Sequence, residues 1–176
     1  MGSVEESFDL IKGDVSKTLG ITVGKHKITT PGQYIPKPDA QATPELSFNV
    51  STGTYIVIGL DLDAPFASLN FLSPILHWIQ SGLTPTPEGK GTSTLSAGNT
   101  PFVVDWAAVG APGGPCAPHR YVFLLYEQPD DFDVQKHTPN GGAPVGLLKR
   151  TKFDLGAFEK EVKLGPVIAF NYFTSN

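Results

Sequence analysis

The sequence predicts a mostly β domain with a few short helices, one of them near the C-terminus. Nineteen glycines and 16 prolines are spread along the 176 residues, and this spacing is typical of short strands joined by many turns. The clearest strand is residues 54–60 (TYIVIGL), a β-branched and apolar run. Because the run is almost continuously apolar, we expect a strand buried on both faces. Similar runs predict five further strands: residues 46–50, 75–80, 102–106, 121–126 and 167–173.

Two segments are predicted as helices. In residues 154–162, apolar residues recur at spacing i, i+3, i+7 behind Asp154, which is a suitable N-cap. Residues 4–11 form the second candidate. Residues 82–100 and 130–145 are rich in Gly, Pro, Ser and Thr, and this composition predicts two long surface loops.

The bulk composition fits a single domain over residues 1–176. Hydrophobic residues make up 40 % of the chain and charged residues 17 %, so the chain can bury a core and is not of the disordered class. The net charge is −4, and the longest basic run is Lys149-Arg150. Because binding to a phosphate backbone needs a clustered basic face, the sequence predicts no nucleic-acid partner.

The sequence gives no sign of export or membrane insertion. Cys116 is the single cysteine, so no internal disulfide can form. Residues 1–7 are acidic and lack the apolar segment of a secretory signal. No apolar run approaches the roughly 20 residues of a membrane span. We therefore expect a cytoplasmic protein without stable membrane insertion.

Two aspartates directly follow the clearest strand, in the segment DLDAP (residues 61–65). Residues i and i+2 of an extended segment point the same way, so Asp61 and Asp63 leave the strand end on one side. Two like charges this close need a proton, a cation or strong donors nearby. The alternative is a purely structural turn, in which the aspartates accept from backbone amides and Pro65 ends the strand.

Histidines at two strand-like segments add to this polar set. His77 lies inside an apolar run, where a lone histidine is more often a hydrogen-bonded core residue. His119 and Tyr121 follow a Gly/Pro-rich loop and, as i and i+2, share one face, while Arg120 points away and is expected in a structural ion pair. Polar side chains therefore emerge together at two strand ends, which is the pattern of a pocket with convergent polar groups.

These motifs carry a family resemblance. Residues 61–65 with His77-Trp78, and residues 117–121 (APHRY), are similar to the signatures D-P-D-A-P…H-(W/F) and G-x-H-R-Y. They are the signatures of the phosphatidylethanolamine-binding protein family, which also includes Raf kinase inhibitors, carboxypeptidase Y inhibitors and plant flowering regulators. The resemblance covers roughly residue 20 to the end, and its details are most similar to the fungal branch.

The resemblance implies a β-sandwich-like fold with a small pocket for an anionic group and no cofactor. Histidine N–H groups, a tyrosine hydroxyl and loop amides suit phosphate or carboxylate oxygens. Aspartates behind the histidines would fix their tautomers and favour the imidazolium. The implied ligand-binding residues are Asp61, Asp63, Pro65, His77, Pro112, His119, Tyr121 and Tyr172.

Two departures from the family pattern bear on the ligand. Leu62 replaces the usual proline, which should relax the turn but leave both carboxylates in place. Residues 112–117 read PGGPCA where the family usually has P-P-x-G-(S/T)-G. Glycines are lost beside His119, while Pro115 and Pro118 supply no N–H donor. We therefore expect weakened phosphate binding by this loop, in favour of a larger or less charged ligand.

Two further hypotheses concern reactive groups. A thiolate at Cys116 near an imidazolium could act as a nucleophile, although the cysteine also simply replaces the family's Ser or Thr. Carboxylate and imidazole groups are suitable metal ligands, but the family does not generally depend on a metal and we predict none. The four residues considered for that site are Asp61, Asp63, His77 and His119.

Three functions are compatible with these residues. The first is non-catalytic binding of a small anionic ligand: a phosphate, a phospholipid head group or an acidic metabolite. The second is a cofactor-free enzyme of fungal secondary metabolism that cyclises or couples a carboxylate- or carbonyl-bearing intermediate. His77, His119, Asp61 and Asp63 would then provide acid/base catalysis. The third is inhibition of a serine carboxypeptidase or a kinase through a surface that the sequence does not locate.

Overall fold

The computed structural model describes residues 2–89, 91–113 and 115–176. Within these residues the strands are β1 (Gly20–Val23), β2 (His26–Lys27), β3 (Gln33–Tyr34), β4 (Glu45–Phe48), β5 (Tyr55–Asp61), β6 (Ile75–Gly89), β7 (Thr92–Ser96), β8 (His119–Glu127) and β9 (Ala169–Ser175). They form one curled sheet in the order β2-β1-β4-β7-β6-β5-β8-β9-β3. Neighbouring strands are antiparallel except for β3 and β9, which are parallel.

The long strand β6 folds this sheet into two layers. Its first part, up to Leu83, pairs with β5, and its last part, from Thr84, pairs with β7. Apolar side chains of the two layers pack together into one core, in which Leu46 of β4 lies in the same cluster as Tyr121 and Phe123 of β8. Two layers of strands that share a core in this way form a β-sandwich. The predicted mostly β, sandwich-like fold class is therefore confirmed.

Helices cover the outer face of the layer that contains β5 and β8. They are α1 (Gly2–Gly13), α2 (Val134–His137) and α3 (Leu155–Glu161). Val4 of α1 and Leu155 of α3 belong to a second apolar cluster together with Val122 of β8. Asp154 caps α3 by accepting from the backbone N–H of Ala157 at 2.9 Å. Both predicted helices are therefore confirmed. None of the helices in the described ranges is long and apolar enough to cross a membrane.

Five of the six predicted strands are present, and the sixth, residues 102–106, is wrong. Val103 and Val104 are buried in the second cluster, but this segment makes only a single bridge, between Val104 and Ile79. Its apolar composition reflects burial against the sheet and not membership of a strand ladder. An apolar run alone does not separate these two cases.

The predicted surface loop at residues 82–100 is also wrong, because the second half of β6 and all of β7 form a hairpin there. Strand β7 alternates between exposed and buried residues, and Ser93 and Leu95 are the buried ones. Only one of these two is a large apolar residue, so the period-two signal is weak in the sequence. The short strands β1, β2 and β3 were likewise not predicted. The loop predicted at residues 130–145 contains the short helix α2.

A buried arginine ties the segment before α3 to the beginning of β6. Arg150 is 2 % exposed, and its guanidinium donates to the carboxylate of Asp105 at 2.6 Å. It also donates to the carbonyl oxygens of Val145, Leu76 and His77. The carbonyl of Arg150 accepts from the backbone N–H of Leu76 at 2.8 Å. These contacts fix the part of β6 that carries His77.

Replacing this arginine should strongly destabilise the fold. In Arg150→Met the carboxylate of Asp105 keeps the backbone N–H of Val145 as a donor but loses its cationic partner, and several buried carbonyls lose a donor. Breaking a buried ion pair costs about 3–5 kcal/mol. We expect the free energy of unfolding from urea denaturation to fall by this amount. The control is Lys12→Met, which breaks the exposed pair between Lys12 and Asp9 and should change stability little. Equal free energies of unfolding for the two variants would contradict the stabilising role of Arg150.

Candidate functional site

A β-bulge sets the position of His77. Gly59 of β5 pairs with Trp78, whereas the next residue, Leu60, pairs with Leu76. His77 is therefore the extra residue of β6 that has no partner on β5. A bulge redirects the side chain that it carries, and bulges are frequent beside functional sites.

The ring of His77 is held by the segment that follows Val104, the residue that forms a bridge with Ile79 of β6. Its Nδ1 donates to the carbonyl oxygen of Ala107 at 2.6 Å, and the N–H of Ala107 donates to the carbonyl of His77 at 2.8 Å. Because a carbonyl oxygen can only accept, the first of these bonds assigns the proton of the neutral ring to Nδ1. The Nε2 atom of His77 is then a hydrogen-bond acceptor.

Asp61, the last residue of β5, binds His119, the first residue of β8. The Nδ1 of His119 donates to Oδ2 of Asp61 at 2.8 Å. The other oxygen, Oδ1, accepts from the backbone N–H of Asp63 at 2.8 Å. Side chains 58 positions apart in the chain are thus joined inside the protein, where Asp61 is 3 % and His119 is 2 % exposed.

Asp63 is paired with Arg120 and not with a histidine. Its carboxylate accepts from the backbone N, Nε and Nη2 of Arg120 at 2.8, 2.8 and 2.7 Å. The expected structural ion pair of Arg120 is therefore present, and each of the two neighbouring aspartates has its own cationic partner. Leu62 donates its N–H to the carbonyl of Arg120 at 3.1 Å, a bond that the family's usual proline cannot make.

Both histidines converge on Tyr121. The ring centroid of Tyr121 lies 5.1 Å from that of His77 and 6.4 Å from that of His119. The tyrosine hydroxyl accepts from the backbone N–H of Ala111 at 3.2 Å. The side chains expected to meet from the Asp-containing turn, from β6 and from β8 therefore form one buried polar cluster.

The two histidines have opposite pKa shifts. Burial alone would lower the pKa of His119, but the hydrogen bond to Asp61 and the charges of Asp61 and Asp63 outweigh it, so that the pKa lies above its usual 6.5. Burial lowers the pKa of His77 below 6.5, and the charge of Arg150 acts in the same direction. Burial, followed by the charge of Asp61, raises the pKa of Tyr121 and keeps its hydroxyl protonated. The cluster thus favours the charged form of His119 and the neutral form of His77.

The Nε2 atom of His119 is the ring nitrogen for which the cluster provides no hydrogen-bond partner. It is buried and has no hydrogen-bond partner, although the carbonyl oxygen of Pro65 lies close enough to favour the protonated ring. A buried donor without a partner is uncommon in folded proteins and calls for an explanation by an ion, a ligand or a functional role.

The remaining predicted ligand residues and the candidate nucleophile Cys116 lie at the edges of the cluster or outside it. Pro65 borders His119, and Pro112 follows Ala111 in the loop whose amide binds Tyr121. Cys116 is half-buried, and its carbonyl accepts from the side chain of Asn176 at 2.6 Å. Tyr172 pairs with Val122 of β8, and its ring packs on Phe8 of α1 at 5.1 Å. It therefore faces the helix-covered side of the sheet and is not brought together with the two histidines.

Sequence reasoning missed two buried polar residues near the cluster. Arg150 was noted only as part of a basic pair, and its burial depends on tertiary contacts that have no local signal. Ser175 is fully buried at the end of β9, in register with His119. Its position two residues after Phe173 continues the alternation of β9 and was the available signal.

The cluster is buried in this structure. Five cavities of about 270 to 580 Å³ lie elsewhere in the described structure, and none of these five is lined by Asp61, His77 or His119. In the described ranges no three His, Cys, Asp or Glu side chains are grouped to hold a metal ion. The reason is local, since the oxygens of Asp61 and Asp63 are bound to His119, Arg120 and backbone amides.

The fold is similar to several solved structures. Carboxypeptidase Y inhibitor, solved in complex with its cognate proteinase, has a TM-score of 0.69 and 21 % identity, over 99 % of this chain and 95 % of that chain. The phosphatidylethanolamine-binding protein from Plasmodium vivax has a TM-score of 0.63 and 16 % identity, over 90 % and 84 % of the two chains. That of Plasmodium falciparum has a TM-score of 0.58 and 14 % identity, over 90 % and 84 %. At these identities the similarities show a shared fold and nothing further.

Sequence comparison identifies the family. Comparison with functionally curated proteins gives no significant match. The family model described as phosphatidylethanolamine-binding protein matches residues 25–173, which is most of the chain and includes both motifs of the buried cluster. The chain therefore belongs to the phosphatidylethanolamine-binding protein family.

Proposed function

We propose that this chain is a small-ligand-binding protein that receives an anionic group at Nε2 of His119. The observation that carries the proposal is a buried nitrogen without a partner on a ring whose protonation is favoured by Asp61. The ligand class is a phosphate, a phospholipid head group or an acidic metabolite.

The geometry supports a donor role for His119. Asp61 accepts the proton on Nδ1, so that protonation of the ring adds a second donor at Nε2. A hydrogen bond from this imidazolium to an anion is charge-assisted and stronger than a neutral one. Since Asp63 is neutralised by Arg120, it does not repel an anion at His119 as strongly as a free carboxylate would.

His77 supports recognition of a second feature of the ligand. Its Nδ1 is used by Ala107, which leaves Nε2 as an acceptor for a hydroxyl or an ammonium group. A ligand that carries an anionic group and, a few atoms away, a hydrogen-bond donor would match both histidines.

Acid/base catalysis is a second candidate function, and the opposite pKa shifts of His119 and His77 favour it. Neighbouring groups whose environments push their pKa values apart can serve as acid and base. In this hypothesis charged His119 polarises a carbonyl or carboxylate and neutral His77 removes a proton, as in a cyclisation or coupling of a metabolite.

Inhibition of a peptidase or a kinase has no comparable support. The likeness to carboxypeptidase Y inhibitor is at 21 % identity and gives no residue of this chain a role at a protein interface. A peptidase assay with His119→Gln would separate the two ideas, because inhibition by surface contact would survive this substitution.

The first prediction concerns anion binding. We expect acetate, inorganic phosphate or phosphoethanolamine to shift the NMR ring signals of His119 saturably. His119→Gln should weaken binding at least about tenfold, because a hydrogen bond to a charged group contributes about 1.5–3 kcal/mol. Affinity should fall as the pH rises above 6.5 through the raised pKa of His119, since the neutral ring is a poorer donor.

The matched control is His26→Gln. His26 also pairs with an aspartate, since its Nε2 lies 2.8 Å from Oδ2 of Asp39, but it lies outside the cluster. Its replacement should leave both the affinity and its pH profile unchanged. The proposal is wrong if none of the three anions binds the wild-type protein, or if His119→Gln binds them as well as the wild type does.

The second prediction concerns the charge on His119. In Asp61→Asn, burial should lower the pKa of His119 below 6.5, because the hydrogen bond to the carboxylate and its charge are lost. NMR titration of the ring protons measures this pKa. A wild-type His119 that titrates below 6.5 would contradict the assigned role of Asp61.

The raised pKa of His119 also makes the free energy of unfolding depend on pH. Because the folded pKa of His119 is raised, its contribution is fully present below pH 6.5 and is lost as the pH rises through the folded value. The lowered pKa of His77 acts oppositely, as its contribution is present above pH 6.5 and is lost at lower pH. Asp61→Asn should therefore reverse the first dependence, so that the contributions of His119 and His77 are both lost as the pH falls, as measured by urea denaturation across pH 5 to 8.

The catalytic candidate has its own test. Pyruvate in D₂O should exchange its methyl protons faster with the wild-type protein than with buffer alone, and NMR follows this exchange. His77→Gln should abolish the acceleration while leaving anion binding in place, because His77 is the assigned base. Exchange at the buffer rate with wild-type protein, or unchanged exchange in His77→Gln, would argue against catalysis of this type.

A further inference from the structure

Ser175 lies directly beside His119 in the sheet. In the antiparallel pair of β8 and β9, His119 is the register partner of Ser175, and Tyr121 is the partner of Phe173. Directly opposite residues have their Cβ atoms about 4.5–5.5 Å apart and project from the same face. The stacked rings of Tyr121 and Phe173, 5.3 Å apart, mark this face as the one between the two layers.

The two neighbouring side chains share an unusual property. Ser175 is 0 % and His119 is 2 % exposed, and the Oγ of Ser175 has no hydrogen-bond partner, just as Nε2 of His119 has none. Folded proteins rarely leave a buried polar atom unpaired. Two such atoms on adjacent strands and on one face therefore point to a ligand that satisfies both.

We propose that Nε2 of His119 and Oγ of Ser175 bind the two oxygens of one carboxylate group of the ligand. This inference rests on the proposed function, because it uses His119 as the anion-binding residue. It adds a binding residue, Ser175, and it selects a carboxylate from the possible anions. The hydroxyl donates to one oxygen and the imidazolium donates to the other.

The charges around these two donors favour a monoanion. Asp61 and Asp63 carry two negative charges, and protonated His119 and Arg120 carry two positive charges. The buried cluster is thus neutral before the ligand binds. Because desolvating charge in a poorly polarisable interior is costly, a second unit of negative charge on the ligand is penalised. A carboxylate carries one charge, whereas a phosphate monoester approaches two near neutral pH.

The end of β9 is fixed by the residue that follows Ser175. The side chain of Asn176 donates to the carbonyl of Cys116 at 2.6 Å and accepts from the hydroxyl of Tyr34 at 3.1 Å. Thr174, on the other side of Ser175, donates from its hydroxyl to the carbonyl of Gly32 at 3.2 Å. Ser175 is therefore held in place by its neighbours and not by its own hydroxyl, which remains available for a ligand.

The experiment compares Ser175→Ala with Thr174→Val. The probes are acetate, benzoate and the phosphate monoester phenyl phosphate, titrated at pH 6.5 and followed by the ring signals of His119. The wild-type protein should bind the carboxylates more tightly than the phosphate monoester, which is mostly a dianion at this pH. Ser175→Ala should weaken carboxylate binding about tenfold, because one hydrogen bond to a charged group is lost. Thr174→Val, which removes a hydroxyl from the opposite face, should retain the wild-type affinity.

Thermal unfolding without probes gives a second readout. Ser175→Ala removes a buried hydroxyl that has no partner, so its melting temperature should equal or exceed that of the wild type. Thr174→Val removes a hydroxyl that donates to Gly32, so its melting temperature should be lower. A serine that serves the fold, or that only binds a structural water, would give a lower melting temperature in Ser175→Ala with unchanged carboxylate affinity, and this result would overturn the inference.

The outcomes separate this inference from the proposed function. If His119→Gln abolishes anion binding and Ser175→Ala does not weaken it, Ser175 is not a ligand and only the inference fails. If the phosphate monoester binds more tightly than both carboxylates, the selection of a monoanion fails. If neither substitution changes the binding of any probe, the proposed function fails as well.

Discussion

The buried carboxylate of Asp61 is the constraint on which the site depends. A carboxylate that is 3 % exposed is stable only with a cation or several donors close by. The first residue of β8 supplies the cation, and the backbone of the following turn supplies a further donor. The turn after β5 and the beginning of β8 must therefore meet, and this requirement joins two motifs that are distant in the chain. The pairing of Asp63 with Arg120 reinforces the same junction.

The position of β8 inside the sheet gives this junction one buried side and one partly exposed side. Since β8 has neighbours on both sides, its alternating residues face two different environments. His119 and Tyr121 face the core between the two layers, whereas Arg120 and Val122 face the side covered by helices. Because of this alternation, the Asp61–His119 pair and the Asp63–Arg120 pair lie in different environments. The Arg120 pair is partly solvated and structural, and the His119 pair is dry, so its unpartnered nitrogen has no access to bulk water in this structure.

Much of this arrangement could be predicted from the sequence, and the remainder depends on strand register. The buried strands, the capped helix α3, the shared face of His119 and Tyr121, and the need for cations near Asp61 and Asp63 all follow from local spacing. The bulge at His77 does not, because it exists only relative to the pairing of Gly59 and Leu60 on another strand. The burial of Ser175 likewise depends on its register with His119. The hairpin of β6 and β7 was hidden because its polar residues resemble those of a loop, and residues 102–106 show the converse error.

The loop before His119 bears on which groups could act as donors beside the buried cluster. Pro112, Pro115 and Pro118 have no backbone N–H, and the N–H of Ala111 is already used by the hydroxyl of Tyr121. Of the three buried side-chain atoms without a partner among the described residues, Nε2 of His119 and Oγ of Ser175 lie on β8 and β9, which are fixed by ladder hydrogen bonds, and Oγ of Ser81 lies on β6. Groups held on strands are positioned more rigidly than groups held on a loop, and His119 and Ser175 lie opposite each other on two paired strands. Under the proposed function, recognition would therefore rely on these two side chains rather than on loop amides.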